Sequence, residues 1–316
     1  MAQPTANDVH IDAILTNISV AYIQDQNAFV ASKVFPTIPV EKQSDKYFVY
    51  TKGDWFRDEA QLRAPATESA GSGYNLTTAT YNTQVYAFHK DVDDQVRANA
   101  DNPLNPDRDA TSFITQRMLL RQEIQWASEF FTTGIWATDS TPSNLWSDYT
   151  ASDPIGDVET AKATILTSTG FLPNTMVMGY DVFRQLRNHP DIVDRVKYTS
   201  AENVTEDILA RFFGVDRILV ARAVKNSGLE GAAVSMSSIV GKNAALYYVA
   251  PSAGILTPSA GYQFAWRGVS DGMGANIGIT RFRMPELRAD RIEAQMAWDN
   301  KVIASDLGYF FSACVA

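Results

Sequence analysis

His89, Asp91, Asp93 and Asp94 fall within six residues of one another, and three carboxylates beside an imidazole are the raw material of a cation site. A calcium loop also needs a central glycine and a trailing carboxylate; both are missing, so a solvated turn after a strand is expected. Asp107 and Asp109 could act as an acid/base pair, but at a helix start the positive end of the helix dipole accounts for them. Paired carboxylates of a hydrolase can come from separated positions, so a small-molecule hydrolase stays open as a distant alternative. His189 precedes Pro190 at a helix end, where a carbonyl partner or the dipole explains it. Cys314 sits in an apolar terminal segment and reads as packing rather than as a nucleophile.

The single cysteine excludes an internal disulfide and any zinc site built on several thiolates, and three histidines leave little for a histidine-rich metal centre. Gly272, Gly274 and Gly278 match a dinucleotide fingerprint only loosely: the spacing is off by one and no apolar strand leads into them. Neither a phosphate-cradling GxxxxGK[ST] nor a GxSxG nucleophile elbow occurs. The sequons at Asn17, Asn75 and Asn203 carry little meaning without a secretory route. The expectation is a chain that is not an enzyme, with no catalytic residues, no metal and no cofactor.

The elements that could position any of these groups follow from size and pattern. At 316 residues the chain can hold about two domains and a sizeable core. An apolar share of 45% and a charged share of 20% exclude wholesale disorder and collagen-like repeats. A net charge of −9 argues against tight nucleic-acid binding, which needs an excess of Lys and Arg, and against attachment to a membrane surface through basic patches. No apolar run approaches the roughly 20 residues that span a bilayer. The first twenty residues lack the basic start and apolar run of a secretory signal, so folding in a reducing cytoplasm is expected.

The first forty residues read as an arm, with an amphipathic stretch at 11–23 and an apolar segment at 29–35, followed by Pro36 and Pro39, which favour extended chain. Residues 46–50 (KYFVY) and 83–92 (TQVYAFHKDV) read as strands. Between them lie about thirty residues with mixed charges and a Gly/Ser tract, which suggests a long hairpin reaching on the order of 50 Å at about 3.3 Å per residue. A two-stranded hairpin alone is marginal in water, so it needs a surface to lie on, and a second copy of the chain is the simplest candidate.

The clearest helix runs over 107–132. Phe113, Leu120, Ile124, Ala127 and Phe131 form its expected apolar stripe, Arg117 packs its stem there, and Gln122, Gln125 and Glu129 face away. Such a helix is a rod of about 38 Å. The middle reads as α/β. Asp153-Pro154 opens a helix ending near Gly170, 175–179 is a buried strand, and a helix over 180–188 is stopped by Pro190. Asn203 and Glu206 form a capping box for a helix closed by Gly214, and strands follow at 217–223 and 245–250. From Tyr262 the texture is β: Ile292, Ala294, Met296 and Trp298 alternate with polar residues, and 301–315 supplies a partner strand after Asp299-Asn300. No tandem repeat, heptad array or domain linker is visible.

Residues 35–74, FPTIPVEKQSDKYFVYTKGDWFRDEAQLRAPATESAGSGY, resemble the arm and extended loop of tailed-bacteriophage major capsid proteins. AFHKDVDDQVRANAD (87–101) and PLNPDRDAT (103–111) continue the resemblance into that family's spine helix. The match is strong over about residues 15 to 135; afterwards mainly the order of elements agrees. It implies an α+β chain with the Hong Kong 97 fold: an N-terminal arm (1–44), an extended β-hairpin loop (45–92), a peripheral domain with the spine helix (93–152), an α/β axial domain (153–258) and return strands of the peripheral domain (259–316).

The function so implied is a shell subunit that self-assembles into hexamers and pentamers, forming the icosahedral head around phage double-stranded DNA without binding it tightly or sequence-specifically. On the extended loop, Lys52, Asp54, Arg57, Asp58, Glu59 and Arg63 would pair across subunits and fix register, while Trp55, Phe56 and Leu62 would supply apolar anchors. Exposed ion pairs contribute only about 0–1 kcal/mol each, so repeated apolar contacts must carry the stability. Some relatives crosslink through a loop lysine; Lys52 is so placed, but no partner residue is matched. The chain lacks a long helical leader, which implies a separate scaffolding protein; a portal and a decoration protein are further expected partners, and no membrane is. The expected location is the virion, after assembly in the bacterial cytoplasm. A shell protein of a bacterial encapsulated nanocompartment is the alternative that shares the fold.

Overall fold

The computed structural model describes residues 23–100, 104–197, 204–254, 256–269 and 277–316. All but the last residue of the stretch expected at 11–23 lies outside them, as do Asn203, Gly272 and Gly274.

The arm carries a short helix α1 (Ala31–Val34), a strand β1 (Thr37–Val40) and then a true hairpin, β2 (Ser44–Tyr50) and β3 (Leu76–Asn82), joined through a one-turn helix α2 (Lys52–Trp55). β4 (Gln84–Asp93), α3 (Asp94–Asn99) and the long α4 (Pro106–Phe130) follow, then β5 (Thr138–Ser140) and α5 (Pro154–Thr169). Next come β6 (Thr175–Gly179), α6 (Tyr180–Arg187), α7 (Pro190–Lys197), α8 (Glu206–Phe213) and β7 (Arg217–Ala221), with a small ribbon of β8 (Val224–Asn226) and β9 (Met236–Ser238). The chain closes with β10 (Ala244–Tyr247), β11 (Gly261–Trp266), β12 (Gly278–Met284), β13 (Ala289–Val302) and β14 (Gly308–Phe311).

These strands build two five-stranded sheets. The first runs β1-β11-β13-β12, with β4 on the other side of β13. Its backbone is β13, 14 residues without a break, whose alternating Ile292, Ala294, Met296 and Trp298 face α4. Across that interface α4 contributes Ala110, Ile114 and Met118, and Val92 of β4 completes the cluster. The second sheet runs β5-β14-β10-β6-β7 and carries α5, α6 and α8. Every residue of β6 is buried, as a strand covered on both faces requires.

Local signals explain most helix ends. Asn105 caps α4 by accepting the Arg108 N–H at 3.1 Å, with Pro106 in the first turn. Asp153 accepts the Gly156 N–H at 2.9 Å to start α5, and Gly170 ends it at a left-handed φ of 77°. Gly214 does the same for α8 at φ 60°. The start of α8 differs from expectation: Thr205, not Asn203, is its cap, accepting from the Ile208 N–H. Pro190 stops one helix as expected and also opens α7, since a missing N–H is harmless in a first turn.

Three larger corrections concern distance along the chain. First, the partner of β2 is β3, in register from Ser44↔Asn82 to Tyr50↔Leu76, whereas β4 joins the body by pairing with β13. The hairpin is therefore shorter than expected, because 84–93 finds a longer ladder elsewhere. Second, β13 runs straight through Asp299-Asn300, pairing there with β11, and the terminal strand β14 belongs to the other sheet. Third, the buried stripe of α4 is Ala110, Ile114, Met118, Gln122, Trp126 and Phe130, with Glu123 and Ala127 beside it. Phe113 lies on the outer face, 44% exposed, under the guanidinium of Arg117 and the ammonium of Lys90. Reading Gln122 as outward-facing turned the helix by part of a turn.

The arm is tied to both halves of the body. Val30, Ala31, Val34 and Phe35 are buried in the larger core, and Phe35 packs against Phe130 (ring centroids 4.7 Å), Tyr247 (5.2 Å) and Trp136 (6.4 Å). β1 then adds to the first sheet in parallel with β11. A buried polar chain reinforces that register: Thr37 bonds Gln263, Gln263 donates to Asn300, and Asn300 donates to Glu129 of α4.

Candidate functional site

The β2–β3 hairpin has two unlike faces. Alternation puts Tyr47 and Tyr81 on one side, where both stack on Phe264 of β11, at 5.6 and 4.6 Å between ring centroids. The root is fixed further by the Asn82 N–H, which donates to Asp299 at 2.8 Å, and by the buried Thr83 bonding Gln43. The opposite face carries Phe48 (66% exposed), Tyr50 and Leu76 (46% exposed). Beyond Tyr47 the hairpin leaves the sheet.

Its tip is a preformed unit. Asp54 accepts hydrogen bonds from both the backbone N–H (2.9 Å) and the side-chain amide (3.1 Å) of Asn75, so its carboxylate closes the end of the hairpin. Trp55 packs against Tyr50 and Tyr74, at 6.1 and 5.7 Å, making a three-ring cluster that remains half open to solvent. Phe56 is 65% exposed and lays its ring edge along Gly170, at the end of α5. Lys52 forms an ion pair with Asp306, in the single turn before β14. Arg57 lies 3.6 Å from Asp54 and 3.7 Å from Glu59, and Arg63 donates from Nε to the Thr67 carbonyl at 2.6 Å. Asp58 and Leu62 point into solvent, Leu62 entirely.

Thus the residues singled out from sequence share one protruding segment. Among the described residues Lys52, Asp54, Arg57, Glu59 and Arg63 already have partners, whereas Trp55, Phe56 and Leu62 stay more than half exposed. Sequence reasoning missed Asn75, Phe264 and Asp306. Asn75 was noticed only as a sequon, and the other two lie more than 180 residues from the hairpin, where no local pattern points to them.

The groups that suggested chemistry are spent on structure. Asp91 makes a two-pronged pair with Arg291 at 2.7 and 2.8 Å, and that bonding holds its carboxyl below the usual range. Asp93 caps α3 by accepting the Gln95 N–H, and Asp94 pairs with Arg283. Asp107 joins Arg97 (2.9 Å) and Arg281 (3.4 Å), and Asp290 closes the network against Arg97, Arg281 and Arg283. The expected solvated turn is therefore an arginine–carboxylate lattice that pins β12 and α3 to the start of α4. Among the described residues no group of three or more His, Cys, Asp or Glu could hold a metal ion.

His189 is fully buried; its Nδ1 accepts the Asp191 N–H at 3.3 Å, capping α7. Its Nε2 therefore donates to Ser152 Oγ at 3.0 Å, and Ser152 donates on to the Asp148 carbonyl, a closed chain with no free nucleophile. Cys314 is buried and its thiol is pushed up to about 12, as expected of packing. No helix among the described residues is long and apolar enough to cross a membrane.

Residues 122–222 match the family model described as phage major capsid protein E. Over 312 residues the chain is 26% identical to the major capsid protein of Burkholderia phage BcepMu, covering 96% of each. Among solved structures, a phage-related protein from Bordetella bronchiseptica RB50 superposes with a TM-score of 0.68 at 24% identity, over 92% of this chain and 93% of that one. The capsid of cyanophage P-SCSP1u gives 0.61 at 8% identity, over 96% and 93%. The architecture is the Hong Kong 97 fold.

Proposed function

We propose that this chain, a tailed-phage major capsid protein, closes its shell by laying the β2–β3 hairpin of each subunit on a neighbour within hexamers and pentamers that enclose double-stranded DNA. The observation that carries this reading is the uncovered apolar face and tip of the hairpin: Phe48, Trp55, Phe56, Leu62, Tyr74 and Leu76. A lone chain has no reason to hold so much aromatic surface in water on a two-stranded ribbon, and a repeated subunit contact supplies the missing cover. One hairpin laid on the next subunit is a head-to-tail contact, which closes into a ring when the rotation allows.

In this reading residues 1–44 are the arm, the hairpin is the extended loop, α4 is the spine of the peripheral domain, and 153–258 form the axial domain around the symmetry axes. The net charge of −9 suits a wall that faces packaged DNA without adhering to it. A scaffolding protein, a portal and a decoration protein are the further partners, and the shell is assembled in the host cytoplasm. A nanocompartment shell would share the fold; full-length similarity to a phage major capsid protein favours the phage head.

Deleting residues 52–70 removes the tip and leaves the paired strands and the body. Electron microscopy of that variant is expected to find soluble subunits and no closed shells. Closed shells of normal size would overturn the bracing role.

A further inference from the structure

Three cations where β4 meets the outer side of α4 have no carboxylate to answer them. Phe113, Arg117 and Arg121 follow at four-residue spacing and form one exposed ridge. The Arg117 guanidinium lies 5.2 Å over the Phe113 ring, and the Lys90 ammonium comes to 5.6 Å of the same ring. The Arg121 guanidinium lies 5.2 Å over Tyr86. Those rings are supported in turn: Tyr86 stacks on the buried Trp298 at 4.3 Å, and Phe113 meets Phe88 at 6.0 Å. The cations therefore rest on an aromatic shelf.

Among the described residues none of these three side chains makes an ion pair or a hydrogen bond. At the start of the same helix, by contrast, Arg97, Arg281 and Arg283 each reach a carboxylate. Asp91 and Asp93 flank Lys90 in sequence, but strand alternation turns them to the other face, where Asp91 holds Arg291. Glu123 is buried against the arm. The next carboxylates along α4, Asp109 and Glu129, stand eight residues from the nearer arginine. That is about 12 Å along the axis, beyond the screening length of about 8 Å at physiological salt. In a chain of net charge −9 such a face is the exception.

We infer that this ridge, Lys90, Arg117 and Arg121, contacts the phosphate backbone of duplex DNA, and that α4 turns it toward the interior of the shell. The inference rests on the proposed shell function and adds the place where the wall meets its contents.

The chemistry favours phosphate. A guanidinium over a ring gives none of its N–H donors to that ring, so the whole fork stays available to oxyanions. Duplex DNA offers one charge per about 1.7 Å of its axis, so a row of cations finds phosphates at any register and in any sequence. Three contacts are few beside the roughly 6–10 of a tight binder, so the hold is weak and salt-labile. Such a ridge locates the outermost DNA without gluing it to the wall.

Binding of the unassembled full chain to a labelled duplex, followed by fluorescence anisotropy between 20 and about 200 mM salt, tests the contact. Three phosphate contacts predict a slope of log K against log salt of about −3. The triple variant K90Q/R117Q/R121Q should lose at least tenfold in affinity at low salt, with the slope falling toward zero. R117K/R121K keeps the charges and should keep the slope. R184Q/R187Q neutralises two exposed cations elsewhere, on α6, and should change neither. No binding at low salt, or equal losses in the ridge and α6 variants, overturns the inference. Poly-glutamate that competes as well as duplex of equal charge would give the ridge to an acidic protein segment instead.

Orientation has its own readout in DNA-filled particles. The photoreactive p-benzoylphenylalanine in place of Phe113 should link the chain to DNA on irradiation. In place of Thr280, on the opposite face of the sheet, it should not. Photoproducts with protein alone at both positions overturn the inward placement and leave the shell function standing. Absence of closed particles from the unaltered chain would instead overturn the shell function.

Discussion

Glu123, in the last third of the long helix, accepts the backbone N–H of Ala31 at 2.8 Å, and the same oxygen takes the N–H of Val30 at 3.0 Å. A fully buried carboxylate thus serves as the cap of a helix more than 90 residues earlier in the chain, and it fastens the arm to the spine. Its other oxygen is buried and has no hydrogen-bond partner among the described residues.

Burial raises the Glu123 carboxyl from 4.5 to about 7, against the opposing pull of the Ala31 and Val30 N–H groups and of Lys33. The folded chain therefore keeps a proton there that the unfolded chain has released. The contribution of Glu123 to folding stability is complete below about 4.5 and is lost as pH rises through about 7. Urea midpoints of the unaltered chain should fall over that window. Glu123→Gln keeps an acceptor but cannot titrate, so its profile should be flat. Glu123→Ala strands both donors and should lower stability by about 1–3 kcal/mol for each.

Asp290 makes the opposite prediction. Hydrogen bonding from Arg281 first, then from Arg283, holds its carboxyl at about 2, below the ordinary 3.8. Its contribution is complete above about 3.8 and disappears as pH falls through about 2. Thermal melts of Asp290→Asn and of the unaltered chain should differ at pH 5 and converge toward pH 2. A constant difference across that range would show that the arginine lattice contributes by shape alone.

Phe35 is the arm's deepest anchor, at the centre of Phe130, Trp136 and Tyr247. Phe35→Ala opens a cavity among rings that cannot easily collapse, and the expected loss is about 3–5 kcal/mol, read as a shift of the urea midpoint. A loss under 1 kcal/mol would mean that the arm is not part of the cooperative core.

Much of this architecture could be read from local chemistry. Asp153, Gly170 and Gly214 mark helix ends through hydrogen bonds and backbone angles that depend on immediate neighbours only, and the apolar run of β6 needs no partner to be recognised. What could not be read was pairing at a distance. Strand character in 84–93 is plain in its residues, but the choice between β2 and β13 as partner is made by a longer ladder some 200 residues away. Gln122 misled for a related reason: a polar side chain on a helix reads as outward unless the remote elements packed over it are known. The hairpin was legible as a protrusion because of composition, whereas Asp306, which holds its tip, carries no mark in the sequence.

The unbroken course of β13 has a mechanical consequence. The hairpin root is bonded to Asp299, and from there one covalent strand runs back past β11, β4 and β12 to the arginine lattice at Asp290 and Arg291. A pull by an adjacent subunit on the root is thus carried as tension along a single girder, and the ladders on its flanks are loaded in shear, so many hydrogen bonds must give way at once rather than one after another.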